Sequence, residues 1–358
     1  MSETQSDRLR TVLMRIIEGF SDYFVSRVAA TYNDTPSKVN VRNISAERKL
    51  GTTGIHIVKV NLDSDLGEDE ASIAVKIYDQ KEQAAEVVKR INSLQKRITP
   101  YHSLGVSSAA VIFFSGSVVI MEGIPGDVFR DSKIPRPQKY RYAGKALAVF
   151  HGTKREKVWF DKYKLLLNRS LQSLPNEIPN SGKISLRDRF NEVLPVVERV
   201  SANSGAVTFG DFHPGNVIFD VKLGRSPMIH THLIDPEFLD MTSTDHDRLE
   251  DICNFFAVET VDVYRQDPEL RTLRLNLKSF LSGYKEFLAL RQSSLSEMYP
   301  NDKNYIPINF HLALMVLMSI LNIQGMADLF GGEQGLLKEI SLRQELIEKL
   351  LKWESFPD

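Results

Sequence analysis

The sequence predicts an α+β protein of two lobes, a small N-terminal lobe built on an antiparallel sheet and a larger, mainly helical C-terminal lobe. Three observations carry this. Between residues 39 and 122 the apolar residues fall in short runs of branched and aromatic side chains, as in strands. A Gly- and Pro-bearing link, GIPGD at 123–127, then interrupts the chain. From residue 140 to 353 the apolar spacing is helical, apart from short strand-like runs near the middle. The expected domains are an N-terminal helix over 1–36, an N-lobe over 37–122 and a C-lobe over 123–358.

Bulk properties narrow the function classes. A chain of 358 residues is long enough for about two domains, at roughly 150 residues each. Lys and Arg total 45 against 46 acids, so no whole-molecule field points to nucleic acid or an anionic membrane. The one cysteine, Cys253, excludes an internal disulfide framework and fits a reducing cytosol. Arg8, Arg10, Arg15 and Glu18 interrupt the N-terminal apolar residues, unlike a signal-peptide core. The most apolar window, 310–330, contains His311, Asn322, Gln324 and Asp328 and reads as a buried helix rather than a membrane span. A cytoplasmic protein with no nucleic-acid or membrane partner is expected, and the oligomeric state stays open.

The elements follow in order. Leu9, Leu13, Ile16, Phe20, Phe24 and Val28 recur at helical spacing, which predicts an amphipathic helix over 5–31 laid on the following domain or serving as a dimer contact. Strands are expected at 43–49 and 55–62 around the turn LGTTG, and at 73–78 after a polar link at 63–70. A helix over 81–98 carries Ala84, Val87, Val88, Ile91 and Leu94 on one side. AVIFF and VVIME around Ser-Gly-Ser predict a hairpin over 110–122. Helices follow at 140–151, 161–174 and 186–203, with Pro195 expected to kink or split the last. Strands are expected at 206–209, 217–220 and 229–234. Thr244 reads as an N-cap with Asp245 and Asp247 in the first turn, and helices are expected at 246–265, 268–293, 306–329 and 335–353.

The chemistry concentrates in TFGDFHPGNVIFD, residues 208–220, and in HLIDPEF further on. Asp211 stands five residues before Asn216 across a Pro-Gly turn, and Asp235 ends a later apolar run. An acid, an amide and a second acid near strand ends suit phosphoryl transfer, one orienting a hydroxyl and two holding metal on nucleotide phosphates. A hairpin after Asn216 returns Asp235 beside it as a two-ligand Mg²⁺ site. The local alternative is an Asx turn bonded to its own backbone. Gly51, Thr52, Thr53 and Gly54 form a turn whose N–H groups can cradle phosphate, or a plain hairpin. Glu237 shares a strand face with Asp235 by alternation. His230 and His232 have a metal-ligand spacing, but no second histidine pair supports a zinc hydrolase, and strand packing is the default. No GxSxG elbow is present.

GDFHPGN followed by IDPE resembles the aminoglycoside phosphotransferase and choline kinase group of the protein-kinase-like superfamily, whose members read HGDxHxGN and then Asp-x-Glu/Asp. The resemblance covers roughly residues 45–260 and implies a two-lobed protein-kinase-like fold and an ATP- and Mg²⁺-dependent small-molecule kinase. It implies Asp211 as catalytic base, and Asn216 and Asp235 as metal ligands. It gives Lys76, mid-strand in AVKIY, the nucleotide phosphates, with Glu86 preferred over Glu82 to hold its ammonium. Backbone groups of Met121, Glu122 and Gly123 correspond to those that meet the adenine edge, and His213 to a phosphate contact. Asp251 corresponds to a buried acid bracing loop N–H groups. Phe209 departs from the family's usual His and puts the loop geometry in doubt.

Only fifteen residues separate Asp235 from Asp251, with no APE, which leaves no room for a peptide-holding activation segment. A small-molecule hydroxyl acceptor is therefore expected. A compact RIO-like protein kinase and a non-catalytic nucleotide-binding module are the alternatives. Asp240, Asp245, Glu259 and Asp262 are the acids available to a cationic acceptor.

Overall fold

The computed structural model describes residues 21–48, 55–154, 156–175, 178–222, 228–239, 246–291 and 305–352. The chain forms two compact units: Met1–Asp127 with Ile218–Asp235, and Val128–Val217 with Pro236–Asp358. The first division falls a few residues beyond the expected one at 122, and residues 218–235 group with the first unit rather than with the chain around them. Strand pairing explains the grouping, as shown below.

The first unit is a sheet with a helix on each face. β1 (Val39–Arg48), β2 (Ile55–Ser64), β3 (Gly67–Ile77), β5 (Val111–Ser115) and β6 (Val118–Glu122) pair antiparallel in the order β1-β2-β3-β6-β5. The expected polar link at 63–70 is instead mostly strand, because Gly67–Ser64 closes a tight hairpin and Glu68 and Glu70 take exposed positions of the alternation. Ala71, Ile73 and Val75 face a core completed by Val58, Val60, Ile120 and by Phe24 and Val28 of α1 (Ser21–Tyr32). The described part of the N-terminal stripe is thus core-facing; Leu9, Leu13, Ile16 and Phe20 lie outside the described residues. On the opposite face, α2 (Lys81–Ile98) lays Ala84, Val87 and Ile91 against Val119. A 3₁₀ turn, Thr99–Leu104, leads into β4 (Val106–Ser108).

A second sheet has the order β4-β10-β9-β7, with β7 (Asp127–Val128), β9 (Val217–Lys222) and β10 (Met228–Leu233). β10 runs parallel to β4, Thr231 beside Val106 and Leu233 beside Ser108, and this pairing ties the late hairpin to the first unit.

The second unit is helical: α3 (Arg136–His151), α4 (Asp161–Gln172), α5 (Asn180–Ser201), α6 (Arg248–Gln266), α7 (Arg271–Leu290), α8 (Ile306–Ile323) and α9 (Glu333–Lys352). α3 and α7 approach so closely that a Cβ on Gly283 would lie 1.8 Å from the Arg141 carbonyl oxygen. α5 starts at Asn180, inside the expected loop, and runs unbroken through Pro195. Burial of Leu186, Phe190, Leu194 and Val197 along one side outweighs the lost hydrogen bond of the proline. α8 has the length and hydropathy of a membrane span, but most of it is buried, packed on α5, α6 and α9. It ends at Ile323, six residues short of expectation, where Gly325 turns the backbone left-handed. Two short strands, β8 (Gly205–Ala206) and β11 (His246–Asp247), pair antiparallel. The N-cap of α6 is Asp247, whose carboxylate accepts the Leu249 N–H at 3.0 Å; Thr244 and Asp245 lie outside the described residues.

Candidate active site

In the second unit the segment after β8 turns at Gly210, which has φ +82°, and a Cβ there would lie 2.5 Å from the Phe238 carbonyl oxygen. Only glycine fits both demands. Asp211 follows with a half-exposed carboxylate. His213 caps a 3₁₀ turn, Pro214–Asn216, its Nδ1 accepting the Gly215 N–H at 3.0 Å. A neutral ring in that role carries its proton on Nε2, which lies 3.6 Å from Asp211 Oδ2. Asn216 is 6% exposed, and its Nδ2 donates to the Asp211 carbonyl at 3.0 Å.

What fixes this loop is a buried acid. Asp251 on α6 accepts the Phe209 N–H at 2.6 Å and the Gly210 N–H at 3.0 Å. His151 at the end of α3 contributes Nε2, 3.0 Å from Asp251 Oδ2, and its Nδ1 is 2.6 Å from the Tyr284 hydroxyl of α7. Arg248, fully buried, donates to the carbonyls of Gly152 and Lys154. Burial pushes the Asp251 carboxyl up to about 7, while the two loop N–H groups hold it down. Sequence reasoning named Asp251 by resemblance but missed His151, Tyr284 and Arg248. His151 closing an apolar helix was the available signal; Arg248, set among charged residues, offered none.

In the first unit Lys76 belongs to β3, which lies at the centre of the five-stranded sheet and not at an edge. It is on the face opposite Ala71, Ile73 and Val75, yet only 3% exposed. Its Nζ is 3.1 Å from Asp235 Oδ1 and 5.4 Å from the Tyr78 ring centre. The expected partner Glu86 lies on α2 against Lys89 and Arg90, at 3.6 and 3.5 Å, and Glu82 beside Lys81. Glu86 is half exposed, so hydration and neighbours one turn away compete for it. Asp235 has φ +58°, a left-handed value uncommon outside glycine and tolerated best by Asn and Asp. Such strain collects at functional positions.

Several expectations need revision. β10 ends at Leu233, so the strand alternation invoked for Asp235 and Glu237 does not reach them. Met121 and Glu122 lie in β6; Glu122 gives its N–H to Ala110 and Gly123 gives its N–H to Ser72, both at 2.8 Å, so neither donor is left for a base edge. Of the acids considered for a cation, Glu259 is held by the Tyr140 hydroxyl at 2.6 Å and flanked by Arg136. Asp262 pairs with Arg265 at 2.6 Å. Asp240 and Asp245 lie outside the described residues, as do Gly51, Thr52, Thr53 and Gly54. Among the described residues no group of three His, Cys, Asp or Glu is placed to hold a metal, the His230–His232 pair included. Cys253 is a fully buried core residue.

One unit thus pairs the buried Lys76 with Asp235, and the other tethers the Asp211–Asn216 loop to Asp251. The profile of the phosphotransferase enzyme family (APH) matches residues 66–249, just over half the chain. The chain belongs to this family. It is a small-molecule kinase by that membership, with the protein-kinase-like fold. Structural comparison agrees on the fold. A choline/ethanolamine kinase family protein from Mesorhizobium loti superposes with TM-score 0.51 at 13% identity, over 92% of this chain and 96% of that one. The GDP and kanamycin complex of APH(2")-IIia gives TM-score 0.50 at 14% identity, over 91% and 99%. A Plasmodium vivax ethanolamine kinase gives 0.47 at 16%, over 86% and 81%. No curated protein matches the chain in sequence.

Proposed function

We propose that this kinase moves the γ-phosphoryl group of ATP, with Mg²⁺, to a hydroxyl of a small molecule. The observation that supports this most is the braced loop. Asp211 presents a half-exposed carboxylate beside a buried amide, Asn216, on backbone tethered to Asp251. In this reading Asp211 orients the acceptor hydroxyl and takes its proton late in transfer. Lys76 binds nucleotide phosphate, and the His213 Nε2–H beside Asp211 donates to the group being transferred. The strand end at residues 121–123 receives the base through acceptors rather than the donors already used. Gly51, Thr52, Thr53 and Gly54 are the further residues proposed to contact the phosphates through backbone N–H groups.

Asn216 and Asp235 are the proposed metal ligands. One amide oxygen and one carboxylate are hard oxygen donors, and magnesium takes one or two such ligands with phosphate and water completing the shell. Bound there, Mg²⁺ would neutralise charge on the phosphates. The acceptor is a hydroxyl compound; a cationic one gains no support from Glu259 or Asp262, which are already engaged. The relatives' GDP complex makes GTP worth testing beside ATP.

The test is an ADP- and GDP-release screen against pooled metabolites and antibiotics, run beside Asp211→Asn. Loss of roughly 10²–10⁴-fold in transfer with nucleotide affinity retained is expected of a positioned base. Equal turnover in the variant refutes the assignment. Phosphate on protein instead of a metabolite would transfer the reading to a protein kinase.

A further inference from the structure

We propose that a cavity wholly within the first unit, bordering at Glu122 the strand end assigned above to the base, binds a small organic oxyanion: a metabolite bearing a carboxylate or phosphate together with hydroxyl or amino groups. The proposal does not rest on the phosphotransfer mechanism. The cavity holds about 270 Å³ and is walled by α1, the end of α2 with its 3₁₀ turn, β4, β9, β10 and the chain after β6. That is far more than the roughly 30 Å³ share of one water.

Two of its lining atoms are anomalous. Arg27 Nε and Ser108 Oγ are buried with no hydrogen-bond partner among the described residues, although the Arg27 side chain as a whole is 41% exposed. The Arg27 ion-pair contact, Asp69 Oδ2, is 3.9 Å away, beyond hydrogen-bond reach. Buried polar atoms are satisfied in more than about 90% of cases, and each exception requires a reason such as an absent water or ion. A guanidinium has only donors to offer, so whatever completes it must accept.

Histidines extend the same wall. His230 and His232 alternate along β10 and so share a face, and they are 8% and 9% exposed. The His102 ring lies 5.9 Å from that of His230, which lies 6.5 Å from that of His232. Ser107 Oγ, 2.6 Å from His232 Nδ1, fixes the last ring. Arg27 and the imidazole N–H groups line one cavity and offer donors to an anionic group. Glu122 and Asp220 also line the cavity and call for hydroxyl or amino donors on the ligand. A divalent cation fits poorly beside Arg27, and no three-ligand group is placed for one among the described residues.

The experiment uses the full chain saturated with a non-hydrolysable ATP analogue, so that the nucleotide site is occupied. Inorganic phosphate, citrate and glycerol 3-phosphate are titrated to 20 mM while histidine ring signals are followed by NMR. At least one organic probe is expected to shift signals that vanish in His102→Gln or His230→Gln. Arg27→Gln and Ser108→Ala are each expected to weaken that probe at least fivefold. Response to citrate alone marks a carboxylate ligand, response to glycerol 3-phosphate alone a phosphate ligand. No ring shift with either organic probe, or binding changed less than fivefold by both variants, overturns the proposal. The melting temperature of each variant, taken without probe, checks that the fold is intact.

Discussion

Alanine at position 210 puts the close packing of the Asp211 loop to a quantitative test. Gly210 has φ +82°, and the added Cβ would meet the Phe238 carbonyl oxygen at 2.5 Å and the Phe238 Cβ at 3.0 Å. The left-handed conformation alone costs a non-glycine residue about 1–2 kcal/mol. The contact with a backbone oxygen adds an overpacking cost of about 1–3 kcal/mol, because neither segment can move independently. The sum, about 2–5 kcal/mol, lowers the melting temperature by roughly 4–20 °C at about 2–4 °C per kcal/mol for a unit of this size. Gly325 provides the control: its φ is +79° but nothing lies within 4 Å of its Cβ position. Gly325→Ala should therefore cost only the conformational part. Calorimetry on both variants separates the two contributions. Since the Gly210 N–H donates to Asp251, the rate of ADP release should also fall at least tenfold in Gly210→Ala and stay unchanged in Gly325→Ala. Equal melting temperatures for the two variants, with the rate intact in both, would falsify the packing argument.

Three further outcomes follow from the same geometry. Burial raises Asp251 to about 7, so the folded state binds its proton more tightly than the unfolded chain. Its contribution is then full below the unfolded carboxyl value and is lost as pH rises through about 7, at up to about 1.4 kcal/mol per pH unit. Melting curves of Asp251→Asn between pH 5 and pH 8 should be flatter than wild type, and parallel curves would contradict this. Lys76→Met should weaken nucleotide binding at least tenfold, read by fluorescence titration. It should change the melting temperature little, because Asp235 is 29% exposed and can hydrate when its partner is lost. Tyr163→Phe removes a hydroxyl that accepts the Asp247 N–H at 3.0 Å and donates to Glu250 at 2.8 Å. The Asp247 N–H loses this acceptor, while Glu250, 21% exposed, keeps Lys162 and His246, for about 1–3 kcal/mol measurable by denaturant titration.

Features fixed by local order were legible: the Asp211–Asn216 turn by its Pro-Gly spacing, and Lys76 as a lysine inside an apolar strand. Contacts distant along the chain were not. Lys76 meets an acid 159 residues away, and His151 meets Asp251 across 100 residues, separations over which spacing carries no information. Glu86 misled because helical position fixes a face but not which neighbour wins the charge. The acidic run Glu68, Asp69 and Glu70 looked like a link because strand alternation with two exposed acids leaves no apolar period to detect. The start of α5 was hidden by Pro179, Ser181 and Gly182, which mark loops in isolation but here stand at the helix N-terminus, where proline is tolerated.

Phe209 shows why a departure from a motif need not break its geometry. The side chain is fully buried, edge-on to Phe150 at 5.6 Å and to Phe212 at 5.9 Å. It supplies packing alone. The tether runs instead through its backbone N–H to Asp251, a bond any residue at that position can make. Hydrogen bonding in this region comes from His151, which reaches the same Asp251 oxygen from α3. An imidazole at 209 would enter an aromatic shell, and a buried ring nitrogen left without a partner costs about 1–3 kcal/mol. The position of the loop is therefore set by one carboxylate with donors on three sides, and the residue before Gly210 is free to be apolar as long as Asp251 remains.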